Sequence, residues 1–123
     1  MPDLPGSSPI VVSFLVDTGA DMTVLHPQDS ERLITTADQW QWIRGRPTLS
    51  VGGAGHGMPH YSVDASIFLM HVDKSVSYHD FKLYIAEPHA GNQINESLLG
   101  RDVLRHYVTS FDGVEGLTLT GPS

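Results

Sequence analysis

Asp17 is the residue of this sequence best placed to do chemistry. It follows Phe14-Leu15-Val16, a run of apolar strand formers, and precedes Thr18-Gly19, so the chain leaves a buried strand and enters a tight turn at the carboxylate. Gly19 accepts backbone angles and close approaches that a side chain would forbid. The Thr18 hydroxyl can lock such a turn by hydrogen bonding. A second apolar run through Val24-Leu25 carries the chain away. The pattern delivers one acid to a surface cleft, where a carboxylate can take or give a proton.

The other titratable candidates point less clearly. There are seven histidines, and His56 and His60 stand four apart. With Pro59 between them in what reads as a hairpin, that spacing is not a helix face, and no third ligand stands nearby. No metal or other cofactor is expected. Cysteine is absent, which removes thiol nucleophiles, disulfides and cysteine-based metal sites.

Three ordered segments give the acid a context. Phe14 to Leu25 resembles the active-site segment of the retropepsins, the retroviral-type aspartic proteases, whose signature is two apolar residues followed by Asp-Thr/Ser-Gly-Ala. Leu98-Leu99-Gly100-Arg101-Asp102-Val103-Leu104 is similar to the Gly-Arg-Asn/Asp motif that opens that family's short C-terminal helix. Between them, Val51-Gly52-Gly53-Ala54-Gly55-His56-Gly57 is placed like the family's flap. The resemblance covers roughly Ile10 to Tyr107. His56 departs from the apolar residue commoner at its position.

The resemblance implies an all-β, retropepsin-like half-barrel with a flap hairpin and one short C-terminal helix. It also implies an aspartic endopeptidase. Such chemistry needs two facing carboxylates, and the chain holds one Asp-Thr-Gly. The second Asp17 must then come from a second copy across a two-fold axis, making a homodimer. The paired acids would share one proton and titrate as a dyad, as is general for aspartic proteases. By the family pattern Thr18 bonds across the axis and Gly19 offers its carbonyl to the substrate backbone. Ala20 borders the site, Asp21 and Arg101 pair beside it, and Thr23 ties the same loops. Val24, Leu98 and Leu99 line or back the side-chain pockets. Val51, Gly52, Gly53, Ala54 and Gly55 close over an extended polypeptide. Each position also has a plainer reading: Asp21 and Arg101 as solvated charges, the apolar residues as core, and the glycine run as an ordinary hairpin tip.

Bulk properties bound these expectations. At 123 residues the chain fits one domain. Its net charge of −7, from 14 acids against 7 Lys and Arg, makes nucleic acid a poor partner. No apolar stretch reaches the ~18 residues of a membrane span, and Met1-Pro2-Asp3-Leu4-Pro5 does not read as a signal peptide. With no cysteine, a cytoplasmic location is the expectation, and a longer parent protein is left open.

The elements that must position the site follow from pattern. Residues 1–9, with their prolines, read as a flexible tail, and residues 10–123 as the domain. Ile10 to Val16 reads as a buried strand. Pro27 to Ile34, with Pro first and acids in the first turn, suits a short helix. Trp40 and Trp42, two apart, suggest one face of a strand packed on the domain. Val63, Ala65, Ile67 and Leu69 alternate as in a half-buried strand, and so do Phe81, Leu83 and Ile85. Asp102 to Tyr107 makes about two helical turns. The segment from Val108 to Thr120 reads as two strands joined at Asp112-Gly113, the better candidate for pairing across the dimer axis. A reading from another class remains: the fold as a non-catalytic dimerisation or peptide-binding module. A third is a protease whose only task is self-excision from a precursor.

Overall fold

A single long hairpin carries most of the sheet. In the computed structural model, which describes residues 4–51, 58–70, 73–112 and 116–120, β4 (Met58–Met70) pairs antiparallel with β5 (Val76–Ala86) from His60 opposite Ala86 to Met70 opposite Val76. The alternation read from the sequence is the reason. Tyr61, Val63, Ala65, Leu83 and Ile85 are buried on one face, while Asp64 and Lys82 are exposed and ion-paired on the other. β3 (Thr48–Val51) pairs with the start of β4, Val51 opposite Met58. That hairpin brackets the glycine run, and residues 52–57 themselves lie outside the described residues.

Three two-residue strands complete the sheet: β1 (Leu15–Val16), β2 (Val24–Leu25) and β6 (Leu98–Leu99). Strand order is β1-β6-β2-β5-β4-β3. β6 lies between β1 and β2, parallel to the first and antiparallel to the second, and β2 runs parallel to β5. Thus the two chain segments that carry the sequence motifs are interleaved strand by strand.

The expected strand from Ile10 is shortened to Leu15–Val16, with Val11 86% and Leu15 51% exposed. Strand propensity records fit to a pleated, half-buried surface and does not supply a partner. Among the described residues, β1 has a strand partner on one side.

Mostly-strand architecture agrees with the expected all-β half-barrel, but the described residues hold three short α-helices where two were expected, one opening at Pro27 and one near the C-terminus. α1 (Pro27–Leu33) has its proline in the first turn, where the missing N–H is no loss. α2 (Ala37–Arg44) corrects the strand expected around the tryptophans. Thr36 Oγ accepts from the Gln39 N–H at 3.1 Å, and Gln39 Oε1 accepts from the Thr36 N–H at 3.2 Å. This reciprocal capping box satisfies two donors that a helix start leaves open. Trp40 and Trp42 then lie on different sides of the helix, each under an arginine, Arg44 and Arg46, at 4.9 and 5.0 Å. Both still pack against the main core, which holds Leu25, Leu33, Ile43, Tyr61, Val63 and Ile85. The leading segment, read as a tail, is irregular from Leu4 onward. Leu4 is buried in that core, and the Pro5 carbonyl accepts from Gln39 Nε2 at 2.8 Å.

α3 (Arg101–Leu104) sends Val103 and Leu104 into a second core cluster with Leu99 and Tyr107. His79 Nε2 lies 2.7 Å from Tyr107 Oη, and His106 stacks on His79 at 4.5 Å, so the end of α3 is fastened to β5. β7 (Val108–Asp112) and β8 (Gly116–Thr120) form a separate two-stranded sheet with Asp112 opposite Gly116. The expected turn at Asp112-Gly113 falls on residues 113–115, which lie outside the described residues. Among the described residues no helix is long and apolar enough to cross a membrane.

Candidate active site

The chain reaches Asp17 while still bonded to the sheet. Leu15 N–H donates to the Ser97 carbonyl at 2.8 Å and Asp17 N–H to the Leu99 carbonyl at 3.0 Å. The turn then closes on the acid itself: Gly19 N–H donates to Asp17 Oδ1 at 2.9 Å and Ala20 N–H to the Asp17 carbonyl at 3.1 Å. A Cβ on Gly19 would lie 3.3 Å from that Oδ1, so glycine allows the carboxylate to fold over the turn. Asp17 is half-buried, and Thr18 and Gly19 are exposed at the tip. Beside Thr18 is an open apolar depression of about 360 Å³, lined also by Arg101, Leu104, Arg105 and Tyr107.

What holds the turn comes from the other end of the chain. Asp102 Oδ2 accepts from the Thr23 N–H at 3.0 Å and Oδ1 from the Thr23 hydroxyl at 2.7 Å. Thr23 Oγ1 in turn accepts from the Gly100 N–H at 3.1 Å. Thr23 is fully buried, so each of these bonds replaces water that cannot enter. The Ala20 carbonyl accepts from the Arg101 N–H at 2.8 Å. Gly100 crosses Met22 so closely that a Cβ would stand 2.4 Å from the Met22 oxygen. Its φ of −99° is open to any residue, so space, not backbone strain, demands glycine.

Arg101 and Asp21 form the ion pair expected of them. Both side chains are largely exposed, 59% and 76%, so solvent screens the pair and its contribution to stability is small. Its place is the flank of the turn. Val24 and Leu98 pair across β2 and β6, Val24 buried and Leu98 half-buried, and Leu99 is buried below. Ala20 is half-buried within the turn. Val51 ends β3, with only its backbone described. Gly52, Gly53, Ala54, Gly55 and His56 lie outside the described residues.

Asp17, Gly19, Ala20, Thr23 and Arg101 are therefore brought together, while the flap tip stays outside this description. Two contributors were not singled out from the sequence. Asp102 was read only as part of its motif, and Gly100 likewise. The available signal was a carboxylate directly after a Gly-Arg pair that leaves an apolar strand.

The described residues contain no group of three His, Asp or Glu able to hold a metal ion. His60 is buried, and burial, with a smaller contribution from the nearby charge of His26, pushes its imidazole below the ordinary histidine range. The hydrogen bond to the Met58 carbonyl acts in the opposite direction.

Comparison with known proteins bears on this geometry directly. A protein-family model described as aspartyl protease matches residues 6–103. Searches of curated proteins and of solved structures give no match. The matched span begins before β1 and ends in α3, so it takes in the Asp17 turn and both halves of the lock that holds it. This chain belongs to the retropepsin-like aspartyl protease family.

Proposed function

We propose that the chain is an aspartic endopeptidase that works as a homodimer, with Asp17 of each protomer supplying one carboxylate of the dyad. The observation that carries this reading is the single Asp17-Thr18-Gly19 turn, whose carboxylate is held by its own Gly19 N–H and whose base is locked by Asp102 and Thr23. One such turn is half of an aspartic dyad, and a two-fold axis beside Thr18 makes it whole. The exposed Thr18 tip, the apolar depression beside it and the exposed Leu15 on the open edge of β1 suit a seam between copies. β7 and β8, which pair only with each other among the described strands, are available to extend that seam.

In this reading the two Asp17 carboxylates cannot both ionise cheaply at close range and share one proton. The ionised Asp17 takes a proton from water as that water adds to the scissile carbonyl, and the protonated Asp17 donates its proton to the carbonyl oxygen. The tetrahedral species then collapses: the Asp17 that took the water proton gives it to the amide nitrogen, the other Asp17 takes a proton from one of the hydroxyls, and the C–N bond breaks to release the amine. No covalent enzyme intermediate forms. Thr18, Gly19, Thr23 and Arg101 hold the loop. Gly19, Ala20, Asp21, Val24 and Leu98 border the substrate, with Val51 to Gly55 closing over it as an added strand.

The test is cleavage of a denatured protein between pH ~4 and ~7, with wild type compared with Asp17→Asn at several enzyme concentrations. Asn keeps an Oδ1 acceptor for Gly19 and so preserves the turn. Cleavage lost in the variant, and rising more steeply than linearly with enzyme, supports a dimeric aspartic peptidase. A folded, dimeric wild type that cleaves nothing while still binding peptide supports a non-catalytic module.

A further inference from the structure

Helix α1 carries two charged side chains that the peptidase reading leaves unused, and both reach the segments that lead into the strands of the Asp17 turn. Asp29 lies in the first turn of α1 and is only 7% exposed. Its Oδ2 accepts from the Ser97 hydroxyl at 2.5 Å, and its Oδ1 accepts from Arg32 Nη2 at 2.6 Å. Arg32 sends its other arm back along the chain, with Nη1 donating to the Val11 carbonyl at 2.7 Å. A planar fork suits such a double attachment, which a point-like ammonium reproduces poorly. The Arg32 side chain is 48% exposed, so the ion pair itself adds little stability. Its consequence is geometric.

The two ends of this strut are the lead-ins to β6 and β1. Ser97 is fully buried and directly precedes β6. Its hydroxyl receives the His26 N–H at 3.0 Å while donating to Asp29, and its carbonyl receives the Leu15 N–H at 2.8 Å. Val11 precedes β1, with its side chain exposed and its neighbours Ile10 and Val12 half-buried against the main core. The Arg32 bond fixes the backbone between them. β1 and β6 are two residues long each, so their mutual placement depends on what holds their ends. Asp102 on Thr23 fastens the far side of the Asp17 turn to α3. The strut from α1 fastens the near side, where Asp17 leaves the sheet.

We infer that Asp29 and Arg32 are positioning residues for catalysis: acting through Ser97 and Val11, they fix β1 against β6 and so place the Asp17 carboxylate. The inference rests on the peptidase reading, in which a two-fold axis pairs Asp17 with its copy. Symmetry applies any displacement in both protomers at once, and a misplacement of about 1 Å can cost about a hundredfold in rate. The segment from Ala20 to Val24, which borders the substrate in that reading, is held from the other side, by the Arg101 N–H on the Ala20 carbonyl and by Asp102 on Thr23. Loosening the strut therefore lowers turnover more than it lowers peptide binding.

The experiment compares wild type with Arg32→Gln and Asp29→Asn on one cleavable peptide, and includes Thr36→Ala as a variant that costs stability away from the strut. Gln removes the fork at an exposed position and leaves the core intact, so Arg32→Gln decides if Asp29→Asn does not fold. Asn presents an N–H₂ where Asp29 accepts from both Ser97 and Arg32. In both strut variants kcat per folded molecule is expected to fall by about tenfold with KM within about twofold of wild type, while Thr36→Ala keeps both constants. A kcat in Arg32→Gln within about twofold of wild type overturns the inference, whatever KM does, and leaves the peptidase reading intact. If wild type cleaves no peptide, the peptidase reading fails by itself and amide hydrogen exchange decides on the strut. Exchange of the Leu15 and Asp17 N–H groups about tenfold faster in Arg32→Gln, with the β4–β5 amides unchanged, supports it. Unchanged exchange at Leu15 and Asp17 overturns it.

Discussion

Asp102 grips Thr23 twice, by its backbone N–H at 3.0 Å and its hydroxyl at 2.7 Å, across 79 residues of sequence. The two residues sit in the two motif segments, and their contact is what makes those segments one site. Because Thr23 Oγ1 also receives the Gly100 N–H, the hydroxyl is the centre of a three-way junction beneath the Asp17 turn.

Removing that hydroxyl without changing shape isolates its role. Thr23→Val leaves the buried Gly100 N–H without its acceptor, while Asp102 Oδ1 keeps the Val103 N–H, at a cost of about 2 kcal/mol. Thermal unfolding at fixed protein concentration is expected to show a Tm lower by roughly 8 °C. Asp102→Asn is expected to cost a similar amount, because an amide N–H₂ cannot accept both Thr23 donors.

The two glycines of the site are expected to fail differently. In Gly100→Ala the new methyl meets the Met22 oxygen and carbon at 2.4 and 2.5 Å, both backbone atoms. Those atoms cannot retreat without opening the β1-β6-β2 interleaving, so a loss of about 3 kcal/mol or more is expected, seen as loss of folded protein. In Gly19→Ala the methyl meets only Asp17 Oδ1, at 3.3 Å, and a side chain can give way. Stability is expected to stay within about 1 kcal/mol, while displacement of the carboxylate lowers kcat by about tenfold or more. Denaturant melts beside peptide-cleavage rates separate the two behaviours.

Helix α2 should be sensitive at the residue that caps it, Thr36. Thr36→Ala removes the acceptor for Gln39 N–H, and a cost of about 1 kcal/mol is expected, with Ser restoring most of it. Cleavage per folded molecule should be unchanged, since the bonds of Thr36 stay within α2.

Stability should fall on mild acidification in a way traceable to His60. Its folded-state pKa is lowered, chiefly by burial, so below an ordinary histidine pKa of about 6.5 the unfolded chain binds a proton that the folded chain resists. The stabilising preference for the neutral ring is present above that pH and is lost as pH falls through the folded-state value. Chemical denaturation of the peptide-free protein across pH 5 to 8 should show this slope, and His60→Gln should flatten it.

Much of the frame was legible in advance because local pattern and tertiary role agree there. The alternation in Val63, Ala65, Leu83 and Ile85 needs only one buried face to become the β4–β5 hairpin. Pro27 opens a helix as expected. The tryptophans misled because a two-residue spacing suits a strand face, while the stronger signal, Thr36 with Gln39 three residues on, was a helix start. Ile10 to Phe14 misled for another reason. Those residues could form a strand, but β1 finds its partner only from Leu15 onward.

The Asp-Thr-Gly turn and the Gly-Arg-Asp segment were set by the sequence itself, because each depends on backbone freedom or charge at one place in the chain. Three things were decided only by the tertiary structure: that β6 lies between β1 and β2, that Asp102 reaches Thr23, and that Asp29 reaches Ser97. Each is a pairing between residues tens of positions apart, and the burial that enforces it exists only once the sheet has closed.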